Sequence, residues 1–168
     1  MSTHALQSHA QKLVAVMMIF VAALLSSCGL SDKEKSVART NVAIEDVAEA
    51  GRQVANSIAA LSGQTPDERD IRPVRDATRL YMERMETLNA SIRQLAEVFT
   101  GLADYVETTF LENAERAAVD CQDALNLISG DSPDDEQIRS AITRIGRCID
   151  VYADEVTRVS ARYAEVSN

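Results

Sequence analysis

Aromatic residues are scarce in this chain, and tryptophan is absent. Phe and Tyr together make up 4% of the 168 residues. No segment alternates apolar and polar residues for long enough to predict a β-strand. The prolines are also few, and all of them fall near predicted helix starts: Pro66, Pro73 and Pro133. A composition dominated by Ala, Glu, Arg, Val and Leu is typical of long helices, so an all-α fold without a β-sheet is predicted.

Charged residues are nearly absent from the first 27 positions, where Lys12 is the one charged side chain. The run from Leu13 to Leu25 is apolar throughout. It is shorter than the ~20 residues of a membrane-spanning helix and has the length of the hydrophobic region of a secretory signal. The small residues Ser26 and Ser27 follow it, as a signal peptidase requires. Residues 1–27 are therefore predicted to be a cleaved signal peptide.

The sequence Leu25-Ser26-Ser27-Cys28 resembles the lipobox of bacterial lipoproteins. In that class the cysteine thiol receives a diacylglycerol, the peptide bond before the cysteine is cut, and the new amine is usually acylated. The resemblance thus implies cleavage between Ser27 and Cys28, lipidation of Cys28 and a membrane anchor on the periplasmic side. The alternatives are a plain secreted protein and a signal anchor in which Cys28 is incidental.

The residue after the cysteine is Gly29. It is not the Asp that tends to retain lipoproteins in the inner membrane of enterobacteria, so the resemblance favours the outer membrane. Residues 28–31 would form the lipidated cysteine and a short linker, and residues 32–168 a helical domain. Because about two residues separate the lipid from Ser31, this domain is expected to lie close to the membrane.

Several classes of function lack the residues that they need. The net charge of −9 argues against nucleic acid and against docking of the whole domain on anionic lipid. Both histidines, His4 and His9, belong to the predicted signal peptide, so the mature chain has no histidine ligand or general base. It also lacks the C-x-x-C and Glu-x-x-His patterns. A protein that is not an enzyme, without a metal or cofactor, is predicted.

Three stripes of apolar residues follow the 3-4 spacing of a helical core, over residues 37–61, 74–106 and 138–166. After the second stripe the pattern slips by one residue and continues as Phe110, Ala114, Ala117, Cys121, Leu125 and Ile128. Capping boxes are predicted at Ser31 with Glu34 and at Thr65 with Glu68, and a further helix start at Ser132. The predicted helices are about 32–62, 66–100, 102–129 and 133–167, with a kink at Pro73 or a restart capped by Asp70.

Two architectures fit these helices. If the chain is unbroken at Thr100-Gly101, the middle helix spans roughly 60 residues and about 90 Å, and the fold is an elongated antiparallel coiled coil. If the chain folds back near Gly101, four helices of similar length form one up-down four-helix bundle. The similar lengths and the single core favour the bundle.

Cys121 and Cys148 are the remaining cysteines after Cys28. In an oxidising periplasm an even pair suggests a disulfide between the third and fourth helices. With caps at Ser129 and Ser132, however, Cys121 would face residue 140, roughly 12 Å from Cys148 along the axis, whereas a disulfide needs Cα atoms within about 7 Å. The alternative is a pair of small buried thiols.

Two other groups of polar side chains have both ordinary and functional interpretations. Four arginines spaced along one helix face could contact an anion, but the ordinary interpretation is a solvated face paired with nearby acids; they are Arg69, Arg72, Arg75 and Arg79. Three tyrosines are predicted to be core residues whose hydroxyls reach the surface: Tyr81, Tyr152 and Tyr163.

The function predicted from these patterns is that of a non-enzymatic interaction or structural lipoprotein of the bacterial cell envelope. It would present helical faces to an envelope protein partner or to a second copy of itself. The alternative is a ligand-binding or sensory bundle with a small-molecule cavity between its helices.

Overall fold

The computed structural model describes residues 31–63, 70–130 and 132–167. Ser27, Cys28 and the capping box predicted at Thr65 lie outside these residues. Within them the chain forms four long helices and no β-strand: α1 (Asp32–Ser62), α2 (Arg72–Val98), α3 (Leu111–Leu127) and α4 (Asp135–Val166). A 3₁₀ turn (Thr100–Leu102), one α-helical turn (Ala103–Tyr105) and a π-helix (Val106–Phe110) connect α2 to α3. The predicted all-α class is confirmed.

The chain reverses direction directly after α2. This helix ends at Phe99, whose backbone leaves the helical region with φ −118° and ψ 80°. Beyond the reversal, Arg75 near the start of α2 donates a hydrogen bond to the carbonyl of Gly130, after the end of α3, over 3.2 Å. An unbroken helix would separate these two residues by about 80 Å. The fold is therefore the helical bundle, and the elongated coiled coil is excluded.

Contacts between helices define an up-down-up-down arrangement. Thr40 of α1 donates to the carbonyl of Ser91 of α2 over 3.3 Å, and Asp46 lies 3.4 Å from Arg84. Residue numbers thus rise in α1 as they fall in α2, so the two helices are antiparallel. One hydrophobic core contains residues from all four helices, and its largest fully buried side chains include Tyr81, Met85, Leu88, Phe110 and Tyr152.

Gly101 lies at a close approach between the reversal and α4. A Cβ atom at this position would be 2.8 Å from Cγ1 of Val166, well inside the 3.5–4.0 Å that carbon atoms prefer. Next to it, the rings of Phe99 and Tyr163 meet edge to face with centroids 5.1 Å apart. The absence of a side chain at Gly101 therefore lets the last turn of α4 pack against the reversal.

The one-residue slip in the apolar stripe coincides with the π-helix. In strict 3-4 spacing, the apolar position after Leu102 and Val106 would be residue 109. That residue is Thr109, and the next apolar side chain of the stripe is Phe110. A π-helix bonds residue i to i+5 and so takes one extra residue into a turn. Val106 and Phe110 are both fully buried. The extra residue is therefore absorbed without turning the apolar stripe away from the core.

The helix ends confirm one predicted cap and correct others. Ser31 and Glu34 form the predicted capping box, in which the backbone N–H of Ser31 donates to Oε2 of Glu34 over 2.7 Å. The cap of α4 is Asp134, paired with Gln137, and not Ser132, because the Asp134 carboxylate accepts from the backbone N–H of Gln137 over 2.8 Å.

The start of α2 follows from Pro73. Proline is tolerated in the first turn of a helix and would clash further in. The predicted bounds 66–100 are accordingly wrong at the start, because α2 begins at Arg72 with the proline in its first turn. The helix does restart here, but its N-cap is Ile71 and not the predicted Asp70. The Asp70 carboxylate nevertheless accepts a hydrogen bond from the backbone N–H of Arg72 over 3.0 Å. The predicted third helix, 102–129, is also too long, because α3 ends at Leu127.

Candidate functional site

The end of the bundle that contains Ser31, here called the Ser31 end, is the end nearest in sequence to the predicted lipidation site. Cys28 lies three residues before the first described residue. Phe99, Tyr105 and Tyr163 lie at this end, each partly buried. Nζ of Lys33 lies 5.1 Å from the centre of the Phe99 ring, a distance at which a cation is attracted to the ring face. The Ser31 end thus combines aromatic rings with cationic side chains.

A disulfide joins Cys121 of α3 to Cys148 of α4, with the Cα atoms 5.6 Å apart. Both residues are fully buried in the core. The pairing predicted from the oxidising compartment is therefore present, and the alternative of two separate buried thiols is not. The bond links α3 and α4 within the core, where the two helices already pack against each other.

The predicted helix caps placed Cys148 too far along the helix axis from Cys121 for a disulfide, because they implied a wrong connection between α3 and α4. Asn113 bonds to Glu155 over 3.1 Å, and Asp120 lies 3.5 Å from Arg147. This register places the end of α3 opposite about residue 141 of α4. The fourth helix therefore extends about two turns beyond Leu127, and the chain returns along it before Asp134. Adjacent caps at Ser129 and Ser132, which set the predicted mismatch, do not occur.

Glu155 is a buried carboxylate that the sequence analysis missed. Its side chain is only 3% exposed. Oε2 accepts a hydrogen bond from the Tyr105 hydroxyl over 2.9 Å, Oε1 accepts one from the Asn113 amide over 3.1 Å, and Arg158 pairs with the same carboxylate. These contacts satisfy a charge whose burial would otherwise be costly. We name Tyr105, Asn113, Glu155 and Arg158 the Glu155 cluster.

The π-helix sets the geometry of this cluster. Tyr105 and Asn113 are eight residues apart and lie on either side of Val106–Phe110. In a regular α-helix, positions seven residues apart share a face, and a position eight residues on is turned by about 80° from the first. The extra residue of the π-helix restores the alignment, so both side chains reach Glu155. The one-residue slip in the sequence stripe was the available signal for this feature, although it did not identify the partner.

Tyr105 is held in its protonated form. Burial and the adjoining Glu155 carboxylate raise the pKa of Tyr105 to about 12. On the other side, the guanidinium carbon of Arg162 lies 5.8 Å from the centre of the Tyr105 ring. The hydroxyl therefore remains a hydrogen-bond donor throughout the physiological pH range, and the cluster acts as a fixed polar link between the π-helix region and α4.

Two of the predicted core tyrosines do not reach the surface. Tyr152 is fully buried, and its hydroxyl donates within the core, with the carbonyl of Met85 at 3.1 Å and Oδ1 of Asn89 at 2.8 Å. Tyr81 is equally buried, and among the described residues its hydroxyl has no hydrogen-bond partner. Burial raises the pKa of both phenols. The prediction of exposed hydroxyls is wrong for these two, while Tyr163 is half-buried.

The arginine stripe of α2 is engaged by nearby groups. Arg72 lies 2.8 Å from Asp70, Arg79 lies 3.6 Å from Asp76, and Arg75 donates to the Gly130 carbonyl. Arg69 lies outside the described residues. Since the pairs are exposed, they contribute little stability. This arrangement is that of the solvated, paired face, and no convergence on a single anion site is seen among these three side chains.

Among the grooves on the surface of the described residues, two border the helices. One, of about 450 Å³, lies at the Ser31 end between α1 and α2 and is lined by Asp32, Lys35, Ser36, Arg39, Gln94, Glu97 and Val98. The other, of about 350 Å³, lies along the start of α4 and is lined by Glu136, Arg139, Ser140, Thr143, Arg144 and Arg147. Both are open to solvent and lined mainly by polar side chains. Neither has the enclosed, mostly apolar character of a typical small-molecule site.

The described parts of the chain contain no group of three His, Cys, Asp or Glu side chains arranged to hold a metal ion. None of the helices in these ranges is both long enough and apolar enough to cross a bilayer. Comparison with protein-family models, curated protein sequences and solved structures found no match.

The disulfide is predicted to contribute substantially to stability. It closes a segment of 27 residues, for which the chain-entropy relation gives about 3.5 kcal/mol. Protein that has been unfolded, reduced and refolded with reductant present should lose free energy of unfolding of this order in urea titrations. The double variant Cys121→Ala with Cys148→Ala should be less stable to begin with and insensitive to reductant. Identical titrations of oxidised and reduced wild-type protein would show that the bond does not constrain the chain.

The Glu155 cluster predicts a contrast between two adjacent acids of α4. Glu155→Ala should lower the free energy of unfolding by about 1–3 kcal/mol, because the Tyr105 and Asn113 donors lose their acceptor. Asp154 is exposed, so Asp154→Ala should change it by no more than about 0.5 kcal/mol. Thermal and urea unfolding followed by circular dichroism measure both changes. Equal effects of the two substitutions would mean that the cluster is not a structural link.

Proposed function

We propose that this protein is a lipoprotein anchored through Cys28 on the periplasmic face of a bacterial membrane, with the outer membrane favoured over the inner membrane. Its helical bundle would act as a non-enzymatic interaction or structural module of the cell envelope. The observation that carries the proposal is the buried disulfide between Cys121 and Cys148. Disulfides persist in the periplasm and are rare in the bacterial cytosol, so this bond supports an exported chain, as the lipobox resemblance implies.

The interior and the surface support an interaction module over a catalyst. The interior is filled by apolar side chains of one core, and the buried Glu155 carboxylate is already saturated by hydrogen bonds from Tyr105 and Asn113 and by its pair with Arg158. The chain has no histidine beyond His9, so the commonest general base is missing from the domain. What the bundle offers to its surroundings is therefore its outer helical faces.

These outer faces point to a polar partner surface. Away from the Ser31 end, where Val166 is 39% exposed, large apolar side chains are exposed at separate positions, Val42 at 59% and Val119 at 54%. Single exposed apolar residues do not form a hydrophobic interface. The acidic net charge of −9 favours a partner that presents a basic face. An envelope protein with such a face fits the bundle better than a second copy of the same acidic chain, because like charges repel on approach.

The lipid anchor is tested in the expressing bacterium. The wild-type chain should incorporate labelled palmitate and fractionate with membranes, whereas Cys28→Ser should remain an unlipidated precursor, uncut at this site. The Cys121→Ala variant is the matched control, because it loses a different cysteine and should still be labelled. Equal processing and membrane binding of the Cys28→Ser variant would contradict the lipid anchor.

A photo-reactive amino acid at Val42 or Val119, on the outer faces of α1 and α3, tests the interaction itself in the lipidated protein. Crosslinking followed by mass spectrometry should identify an envelope protein with a basic surface. The same group at the buried Val47 serves as a control that should give crosslinks within the chain. A lipidated protein that remains an uncrosslinked monomer at both exposed positions would count against the module.

A further inference from the structure

Given the anchor at Cys28 proposed above, we infer that the Ser31 end of the bundle docks on the headgroup region of a zwitterionic phospholipid surface. Phe99, Tyr163 and Val166 would contact the lipid. The inference concerns which face of the domain meets the membrane, and it goes beyond the anchor because an anchored domain can also stand away from the bilayer.

The chain between the lipid and the bundle is short. Ser31 follows Cys28 by three positions, and an extended chain spans at most about 3.6 Å per residue. Ser31 therefore lies within about 11 Å of the lipidated cysteine. Its capping box fixes it to the first turn of α1, so the tether ends at a rigid helix and the Ser31 end is held next to the headgroups.

The aromatic side chains of the described residues divide between the core and the Ser31 end. Tyr81, Phe110 and Tyr152 are fully buried in the core. The other aromatic residues of the described chain, Phe99, Tyr105 and Tyr163, are all partly exposed and all lie at the Ser31 end. Aromatic rings concentrate at the level of lipid headgroups, where one side of the ring is apolar and the other is hydrated.

The apolar character of this end extends beyond the rings. Val166 is 39% exposed in the last turn of α4 and lies against the reversal at Gly101. It follows Tyr163 by three residues, which places both on one side of α4, and Tyr163 packs on Phe99 with the ring centroids 5.1 Å apart. These three side chains therefore form one partly exposed apolar patch on the face that the tether turns toward the membrane.

The charged side chains of this end include both signs. Nζ of Lys33 lies 5.1 Å from the centre of the Phe99 ring, so a cation stands beside the aromatic patch, where it would meet lipid phosphates on docking. Two of the nearby acids are paired with cations: Asp32 lies 3.4 Å from Lys35, and Glu165 lies 3.2 Å from Arg162. The neighbouring groove places cations and acids side by side, at Lys35, Arg39, Asp32 and Glu97. This mixture of signs matches a headgroup that carries both a phosphate and an amine, whereas a strongly anionic surface would be repelled by the acidic domain.

The test uses intact lipidated protein in zwitterionic vesicles whose acyl chains carry bromine near the headgroup, which quenches tryptophan on contact. The chain has no tryptophan, so Val166→Trp supplies a single reporter at the Ser31 end. Thr100→Trp is a second reporter there, at an exposed residue of the reversal. Ser132→Trp is the matched control, because it is exposed at the opposite end of the bundle, about 45 Å away.

Docking predicts quenching several-fold stronger at positions 166 and 100 than at position 132, together with a blue shift of the emission. Replacing a large fraction of the lipid by an anionic one should weaken the quenching. Equal quenching at both ends, or none, in protein that floats with the vesicles would overturn the docking while leaving the anchor intact. Protein that carries no acyl chain and does not float would overturn the anchor, and the docking with it.

Discussion

The apolar stripes of α1 and α2 can be buried in this fold only because the chain reverses at residues 99–102 and brings α3 and α4 back alongside them. A two-helix hairpin on its own leaves one side of each stripe exposed to water. The free energy of burial scales with the apolar area that is removed from water, so such a hairpin would be less stable than the bundle. The reversal is short, since Phe99 leaves the helical region and Gly101 allows Val166 to approach. Because of this reversal the four helices share one core, and the Tyr152 hydroxyl of α4 can donate a hydrogen bond to the carbonyl of Met85 in α2.

The second half of the bundle is fixed in register by three different devices. The π-helix takes up one extra residue and keeps Phe110 in the core. The Glu155 cluster links that region to α4, and the disulfide between Cys121 and Cys148 links the middle of α3 to α4. No comparable covalent link joins α1 to α2 in the described residues, where small buried residues such as Ala43, Ala50 and Gly51 allow close packing instead. The domain is thus most strongly constrained in its C-terminal half.

Much of the fold could be predicted from local patterns, because helix periodicity and capping depend on residues close in sequence. The Ser31 capping box, the break near Gly101 and the one-residue slip all have direct structural counterparts. The course of segment 128–134 could not be predicted, since a connection between helices is set by tertiary packing. The length of that segment decides which residues of α3 and α4 lie opposite each other. The oxidising compartment therefore predicted the disulfide correctly, whereas the wrongly placed caps predicted that the two cysteines were too far apart. Glu155 was missed for the same reason: its partners Tyr105 and Asn113 lie more than forty residues away.

The central claim is that the chain closes into one bundle at residues 99–102, and the overall length of the molecule in solution tests it most directly. Small-angle X-ray scattering on the chain from Gly29 onward, in oxidising buffer and at concentrations where it is monomeric, measures that length. A closed bundle predicts a longest dimension of about 50 Å, set by the 32 residues of α4. A monomer about 90 Å long would mean that α2 and α3 form one continuous helix, and it would contradict the fold and the sites derived from it.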